Sequence, residues 1–352
     1  MHDLFHTFQD KRILVTGHTG FKGSWLTRIL TNAGAEVSGL ALKAEPNSLY
    51  EVCGELGEKE STILDIRNRE LVDEYFSNKN FDGIFHLAAQ PLVLRSYKEP
   101  VETFDTNVMG TAHVLNGTLQ FKASPWVVVV TTDKVYENVE KLQGYVEDDA
   151  LGGKDPYSAS KSATEMVVKA WRNLAFADGT LKINSARAGN VIGGGDTAEN
   201  RLLPDLIRGF MQNKKTTIRN PDSVRPWQHV LDPLSGYLMM GQKLIKGESI
   251  PASLNFGPSD DAKLTVKEMA EYACDLWADS AGFEVINDPN APSETGLLWL
   301  SSTLAKNELG WVNKLDARTA IRWTLDWHRN VKNSSAPEEM DRQIAAYFKM
   351  NP

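Results

Sequence analysis

Two short stretches of this chain carry side chains whose types and spacing suit proton and redox chemistry. In Tyr157-Ser158-Ala159-Ser160-Lys161 a phenol and an ammonium stand one helical turn apart on the same face. A free tyrosine has a pKa of about 10, and a neighbouring ammonium favours the phenolate, so the pair can work as a base near neutral pH. The second stretch, Thr131-Thr132-Asp133-Lys134, closes a valine-rich run and places an acid beside a lysine at a strand end. Together they point to an oxidation coupled to acid-base chemistry. Each also has a plainer reading: Y-x-x-x-K is the pattern of a half-exposed helix face, and Asp133 could be an ordinary strand-end hydrogen bonder.

The elements that must position these groups are legible upstream. Arg12–Thr16 reads as a buried strand, followed by glycines at 17, 20 and 23 and an apolar helix around Trp25 to Leu30. In Gly17-His18-Thr19-Gly20-Phe21-Lys22-Gly23 the glycines let the backbone approach a pyrophosphate held at a helix N-terminus, which makes the turn a dinucleotide site lined by Gly17, Thr19, Gly20, Phe21, Lys22 and Gly23. Further β-rich runs at Glu36–Ala41, Ser61–Leu64, Gly83–Leu87, Trp126–Val130 and Lys182–Arg187 alternate with helical stretches. The expected fold is α/β, a doubly wound parallel sheet of Rossmann type with a smaller, interleaved C-terminal substrate lobe. Residues 1–187 should form the dinucleotide domain, with about 229–254 returning to it, and 188–352 mainly the substrate lobe. The second strand ends in Leu40-Ala41-Leu42-Lys43 with no acid for a ribose hydroxyl, which leaves NAD and NADP both open. Asp65-Ile66 after the third strand could meet the adenine amine, or Asp65 could cap a helix. Leu87, Ala88, Ala89 and Gln90 sit at a strand's carboxyl end, where small residues admit the cofactor.

Composition narrows the class. The chain has 352 residues, 41% hydrophobic and 24% charged, with a net charge of -8, which argues against nonspecific nucleic-acid binding. Cys53 and Cys274 are too few for a disulfide framework and lack zinc-ligand spacing, so no metal is expected and a reducing, cytoplasmic setting fits. No long uncharged apolar stretch suggests a leader or a membrane span.

From the Gly17 turn to Arg187-Ala188-Gly189-Asn190-Val191 the chain resembles the extended short-chain dehydrogenase/reductase family. The segments Gly17–Leu26, His86-Leu87-Ala88-Ala89-Gln90-Pro91, Thr131–Tyr136 and Arg187–Asp196 are most similar to its CDP-glucose 4,6-dehydratase branch. The likeness covers roughly residues 10 to 330. It implies NAD as cofactor despite the missing acid, and it extends the cofactor-binding set to Asn107, Thr131, Tyr157, Lys161 and Arg187. The implied substrate is CDP-glucose. In the implied reaction Tyr157 takes the proton of the 4-hydroxyl as C4 is oxidised, and the resulting ketone acidifies C5. Loss of the C5 proton and the C6 hydroxyl as water gives an enone, which is reduced at C6. Thr132 would polarise the C4 oxygen and Asp133 would protonate the departing hydroxyl. Where the similar dTDP-glucose dehydratases carry a glutamate, this chain has Lys134, either the C5 base or a charge that stabilises the enolate.

For the substrate's diphosphate, the fork-shaped guanidinium of Arg225, in Arg225-Pro226-Trp227-Gln228-His229-Val230, is the leading candidate; Arg219 and Asn190 come next, and Leu203-Pro204 would pack on base or sugar. A nucleotide-sugar 4-epimerase is the rival reading. It would use the same turn and the same Tyr157 and Lys161, but it has no leaving group that needs Asp133. A cofactor-binding scaffold without catalysis predicts a broken Tyr-Lys pair, and here the pair is intact. Helices from about Asn107 to Phe121 and from Tyr157 to Phe176 have apolar faces that similar proteins commonly use for dimerisation, so the resemblance implies a homo-oligomer, dimer or tetramer.

Overall fold

In a computed structural model, described for residues 2–121, 125–141, 143–177, 182–258, 263–277, 282–286 and 298–350, seven parallel strands form the central sheet. They are β1 (Arg12–Thr16), β2 (Glu36–Ala41), β3 (Glu60–Ile63), β4 (Gly83–His86), β5 (Trp126–Val130), β6 (Lys182–Ala188) and a seventh, Ser253–Phe256. Their order is β3-β2-β1-β4-β5-β6 with the seventh beside β6, so the winding reverses between β1 and β4. A crevice opens outside the strand ends at such a switch point.

The pleat explains why these runs read as continuously apolar. Ile13 and Val15 of β1, with Val128 and Val130 of β5, face a core shared with Trp25, Leu26, Ile29 and Leu30 of the helix Phe21–Asn32 and with the helix Leu231–Ile245. Leu14, Val127 and Val129 point the other way, into a second core with Val72 and Phe76, Val114 and Leu115, and Val168. Both faces are covered, as parallel sheets require.

The C-terminal helix Ala336–Lys349 starts at the capping box of Ser335 and Glu338 and packs back on this body, where Arg28 donates to Asp341 at 2.7 Å. A third core, built from Leu203, Leu206, Ile207 and Phe210, Met269 and Ile321, organises the second lobe. There the short strands Val191–Ile192 and Gln228–His229 pair in parallel, and Val224–Pro226 pairs antiparallel with Lys263–Thr265. Among the described residues no helix is long and apolar enough to cross a membrane.

Candidate active site

Both reactive stretches open onto one cavity of about 980 Å³ that runs from the glycine turn into the second lobe. Gly17 leaves β1 with φ of 72°, and a Cβ there would stand 2.8 Å from the backbone nitrogen of Ala88. At Gly23 a Cβ would lie 2.0 Å from the carbonyl oxygen of Gly17. Gly20 is the N-cap of the helix Phe21–Asn32 and brings no side-chain cap, so the first-turn amides are left for an anion. This cradle fits the pyrophosphate of a dinucleotide. Gly17, Thr19, Gly20, Phe21, Lys22 and Gly23 line the cavity, as do Asp65, Ile66, Leu87, Ala88 and Ala89.

Asp65 does not act as a helix cap. Asn68 takes that place, accepting from the Leu71 amide, while the Arg67 side chain and amide grip the Asp65 carboxylate at 2.6 and 3.0 Å. The guanidinium holds that carboxyl below its usual range.

Three residues expected at the cofactor do not line the cavity. Gln90 turns back on its own loop, accepting from the Leu92 amide at 2.6 Å and donating to Thr103 at 2.9 Å. Asn107 lies in a π-helical turn, Asp105–Gly110; it accepts from the Gln90 amide at 2.8 Å and donates to the Ser160 hydroxyl at 2.9 Å. It thereby ties the end of β4 to the helix Pro156–Ala177, which carries Tyr157. Arg187 is buried in a bidentate pair with Glu165, at 3.0 and 2.9 Å, with its remaining donor on the Tyr136 hydroxyl at 2.7 Å and the Glu147 carbonyl at 3.1 Å. Buried polar groups need partners, and in these three the partners are protein groups.

The strand-end stretch is set by a single 3₁₀ turn, Asp133–Val135. Thr132 is its cap, accepting from the Lys134 amide at 3.3 Å and donating to the Asp133 carboxylate at 2.9 Å. Thr132 lies beside the Tyr157 phenol on the same cavity wall, so phenol, hydroxyl and carboxylate are neighbours. Burial pushes Tyr157 up to about 12; the nearby Thr132 hydroxyl and the charge of Arg201 oppose this, and the charge of Asp133 adds to it. Lys161 donates to the Val130 carbonyl at 3.1 Å, and burial pushes its ammonium down to about 8 against the raising effect of Glu165. Asp133 is buried, which raises its carboxyl, while Lys134, Thr132, Lys22 and Arg225 pull it down. Space for the carboxylate comes from Gly189, where a Cβ would stand 2.9 Å from Oδ2.

On the second lobe Asn190, Leu203, Arg219 and Arg225 all line the same cavity. Sequence reasoning missed Arg201, which pairs with buried Asp196 at 3.1 Å and whose charge reaches Tyr157. The run Gly194-Gly195-Asp196 was its one signal. Lys22 also does more than line the cradle: burial lowers it to about 8, and its charge is felt at Asp133. His86 donates and accepts between Thr16 and Thr111 at 2.7 and 3.0 Å and is structural, and burial holds it neutral. Among the described residues no group of His, Cys, Asp and Glu could hold a metal ion.

Comparison with known proteins gives a consistent result. A CDP-glucose 4,6-dehydratase of Salmonella typhimurium is 43% identical over 329 residues, covering 92% of this chain and 91% of that protein. The fold matches a Thermotoga maritima UDP-glucose 4-epimerase structure with a TM-score of 0.80 at 22% identity, covering 92% of this chain and 100% of that one. A Bacillus anthracis dTDP-glucose 4,6-dehydratase in complex with NAD matches with a TM-score of 0.76 at 21% identity, covering 94% and 99%. The family model described as NAD dependent epimerase/dehydratase matches residues 13–255. With the glycine cradle, the switch-point cavity and these matches together, the chain belongs to the NAD-dependent epimerase/dehydratase family.

Proposed function

We propose that the protein is a CDP-glucose 4,6-dehydratase, converting CDP-D-glucose to CDP-4-keto-6-deoxy-D-glucose and water. NAD would be held in the cradle of Gly17, Gly20 and Gly23, and when bound would supply the hydride chemistry at C4 and C6. Tyr157 accepts the proton of the 4-hydroxyl while Thr132, on the same cavity wall, orients the C4 oxygen. The C4 carbonyl acidifies the C5 hydrogen, and Lys134, on the same cavity wall, removes that proton or stabilises the enolate left behind. Asp133 protonates the C6 hydroxyl so that it departs as water. Arg225 and Arg219 hold the diphosphate, and Asn190 and Leu203 hold the rest of the nucleotide sugar.

The observation that carries this reading is Asp133, a carboxyl buried on the same cavity as Tyr157, held by the Thr132 hydroxyl and raised by its burial. A 4-epimerase would have no leaving group for an acid at this position. The experiment is incubation of the purified protein with CDP-, dTDP-, UDP- and GDP-glucose, followed by mass spectrometry. Loss of one water from CDP-glucose is expected; no dehydration of any of the four would refute the reading.

The reading includes a cytoplasmic homo-oligomer. Val101, Phe104 and Met109 on one helical run, with Met166 and Leu174 on the Tyr157 helix, leave large apolar side chains exposed. Light scattering on the purified protein should give a multiple of the 39.1 kDa chain mass.

A further inference from the structure

Glu165 is almost fully buried, and both of its oxygens are saturated. Oε1 accepts from the Thr131 hydroxyl at 2.6 Å and from Arg187 Nε at 3.0 Å. Oε2 accepts from the Ser185 hydroxyl at 2.7 Å and from Arg187 Nη2 at 2.9 Å. One carboxylate thus joins the end of β5, the middle of β6 and the helix Pro156–Ala177. It also lies one turn beyond Lys161 on that helix, the spacing at which side chains face each other.

We propose that Glu165 is a positioning residue for the reaction: clamped by Arg187, it is the fixed counter-charge of the Lys161 ammonium and anchors the strand end that presents Thr132 and Asp133. This rests on the proposed dehydratase reading only in that Lys161 must act as a cation there. The geometry separates the two tasks. The hydroxyl of Thr131 reaches Glu165 at the last residue before Thr132, so the carboxylate fixes where the 3₁₀ turn begins. Its charge favours the protonated Lys161 ammonium against the burial that disfavours it. The other charged or titratable groups around Lys161 are Tyr157 on its own helix, Asp133 from the end of β5, Lys22 from the glycine turn, His86 from β4 and Arg187 from β6. Lys22 and His86 both feel the Lys161 charge as repulsion. Glu165 is the charge that offsets the burial of the Lys161 ammonium, alongside its hydrogen bond to the Val130 carbonyl.

The test follows the Lys161 side chain directly, so it does not depend on turnover. Lysine labelled with ¹³C at Cε is introduced into the full-length protein, and the Lys161 signal is identified by its absence from Lys161→Arg. In Glu165→Gln the titration midpoint of Lys161 should fall by about one to two pH units, as expected for loss of a unit charge one helical turn away. Glu165→Gln/Arg187→Met, which leaves no unpaired guanidinium, should show a smaller fall, because a cation near Lys161 is removed together with the anion, and keeps the measurement available if the single variant does not fold. Ser185→Ala keeps the charge and should leave the midpoint where it is. With CDP-glucose, the high-pH limb of kcat should move down with the midpoint in the two charge-removing proteins and not in Ser185→Ala. An unchanged Lys161 midpoint in the folded charge-removing variants would overturn the proposal. A wild type that does not dehydrate CDP-glucose would refute the dehydratase reading while the Lys161 midpoints still decide this one.

Discussion

Replacing Gly189 by alanine should separate the placement of the Asp133 carboxylate from the integrity of the fold. A Cβ at Gly189 would lie 2.9 Å from Asp133 Oδ2 and 3.4 Å from its Cγ, with Pro226 at an ordinary 3.8 Å. Only the tip of one side chain is in the way, and it has to give by about 0.5 Å to reach normal contact. Gly189 is not at positive φ, so alanine brings no backbone strain. Its stiffening of the unfolded chain, worth about 0.4–1 kcal/mol, roughly cancels the crowding, which sits near the lower end of the 1–3 kcal/mol typical of overpacking. A misplacement of about 1 Å costs on the order of 10²-fold in rate, so a shift half as large should lower kcat about tenfold. The assay is kcat and KM for dehydration of CDP-glucose by mass spectrometry, alongside thermal unfolding and cofactor content. The expected result is a tenfold loss in kcat with KM, NAD content and stability within error of wild type. Asp133→Asn, which removes the acid altogether, should lose about 10²- to 10⁴-fold. Full activity in a folded Gly189→Ala protein would refute the claim that the position of Asp133 limits the reaction. A loss of stability of about 3 kcal/mol or more would refute the claim that the clash is confined to a side-chain tip.

Two further predictions test the site and the fold separately. If Lys134 is the C5 base, Lys134→Met should abolish exchange of the C5 hydrogen with deuterated solvent, a loss of about 10²-fold or more, and Lys134→Glu should restore part of it. Unchanged exchange in the Met variant would assign that proton to another group. Away from the cavity, Asp232 is fully buried at the start of the helix Leu231–Ile245; its Oδ1 accepts from the Lys314 amide and the Tyr347 hydroxyl, each at 2.9 Å, and its Oδ2 has no hydrogen-bond partner among the described residues. Burial raises this carboxyl to about 7, so between pH 4 and 7 the native state holds a proton that the unfolded chain has released. Stability should therefore fall as pH rises through that window, by up to about 4 kcal/mol. Asp232→Asn should flatten that part of the curve in denaturant unfolding, and an identical slope in the two proteins would show that Asp232 does not set it.

How much of this was legible beforehand depends on whether a feature is local in the chain. The strands show in runs of apolar residues, and the cradle shows because Gly17 and Gly23 meet the backbone of their own turn and of the adjoining strand. Cavity-lining residues of the second lobe such as Arg225 and Asn190 are reached through motifs that travel as units. Gln90, Asn107 and Arg187 do not line the cavity, since adjacency in a motif does not say which way a side chain faces. For Arg187 the strand's own alternation carries the answer. Ile183 packs in the core that contains Val168 of the Tyr157 helix, so Ser185 and Arg187, two and four residues on, must face that helix as well. The residue waiting there is Glu165, one turn from Lys161, and the same parity sends Ala186 and Ala188 to the opposite core. Alternation along β6 therefore assigns Arg187 to the support of the catalytic helix, a reading open to anyone who extends the pleat by one more pair. Asp232 has no such route, since its partners Lys314 and Tyr347 lie 82 and 115 residues away and nothing in its own helix marks it as buried and protonated.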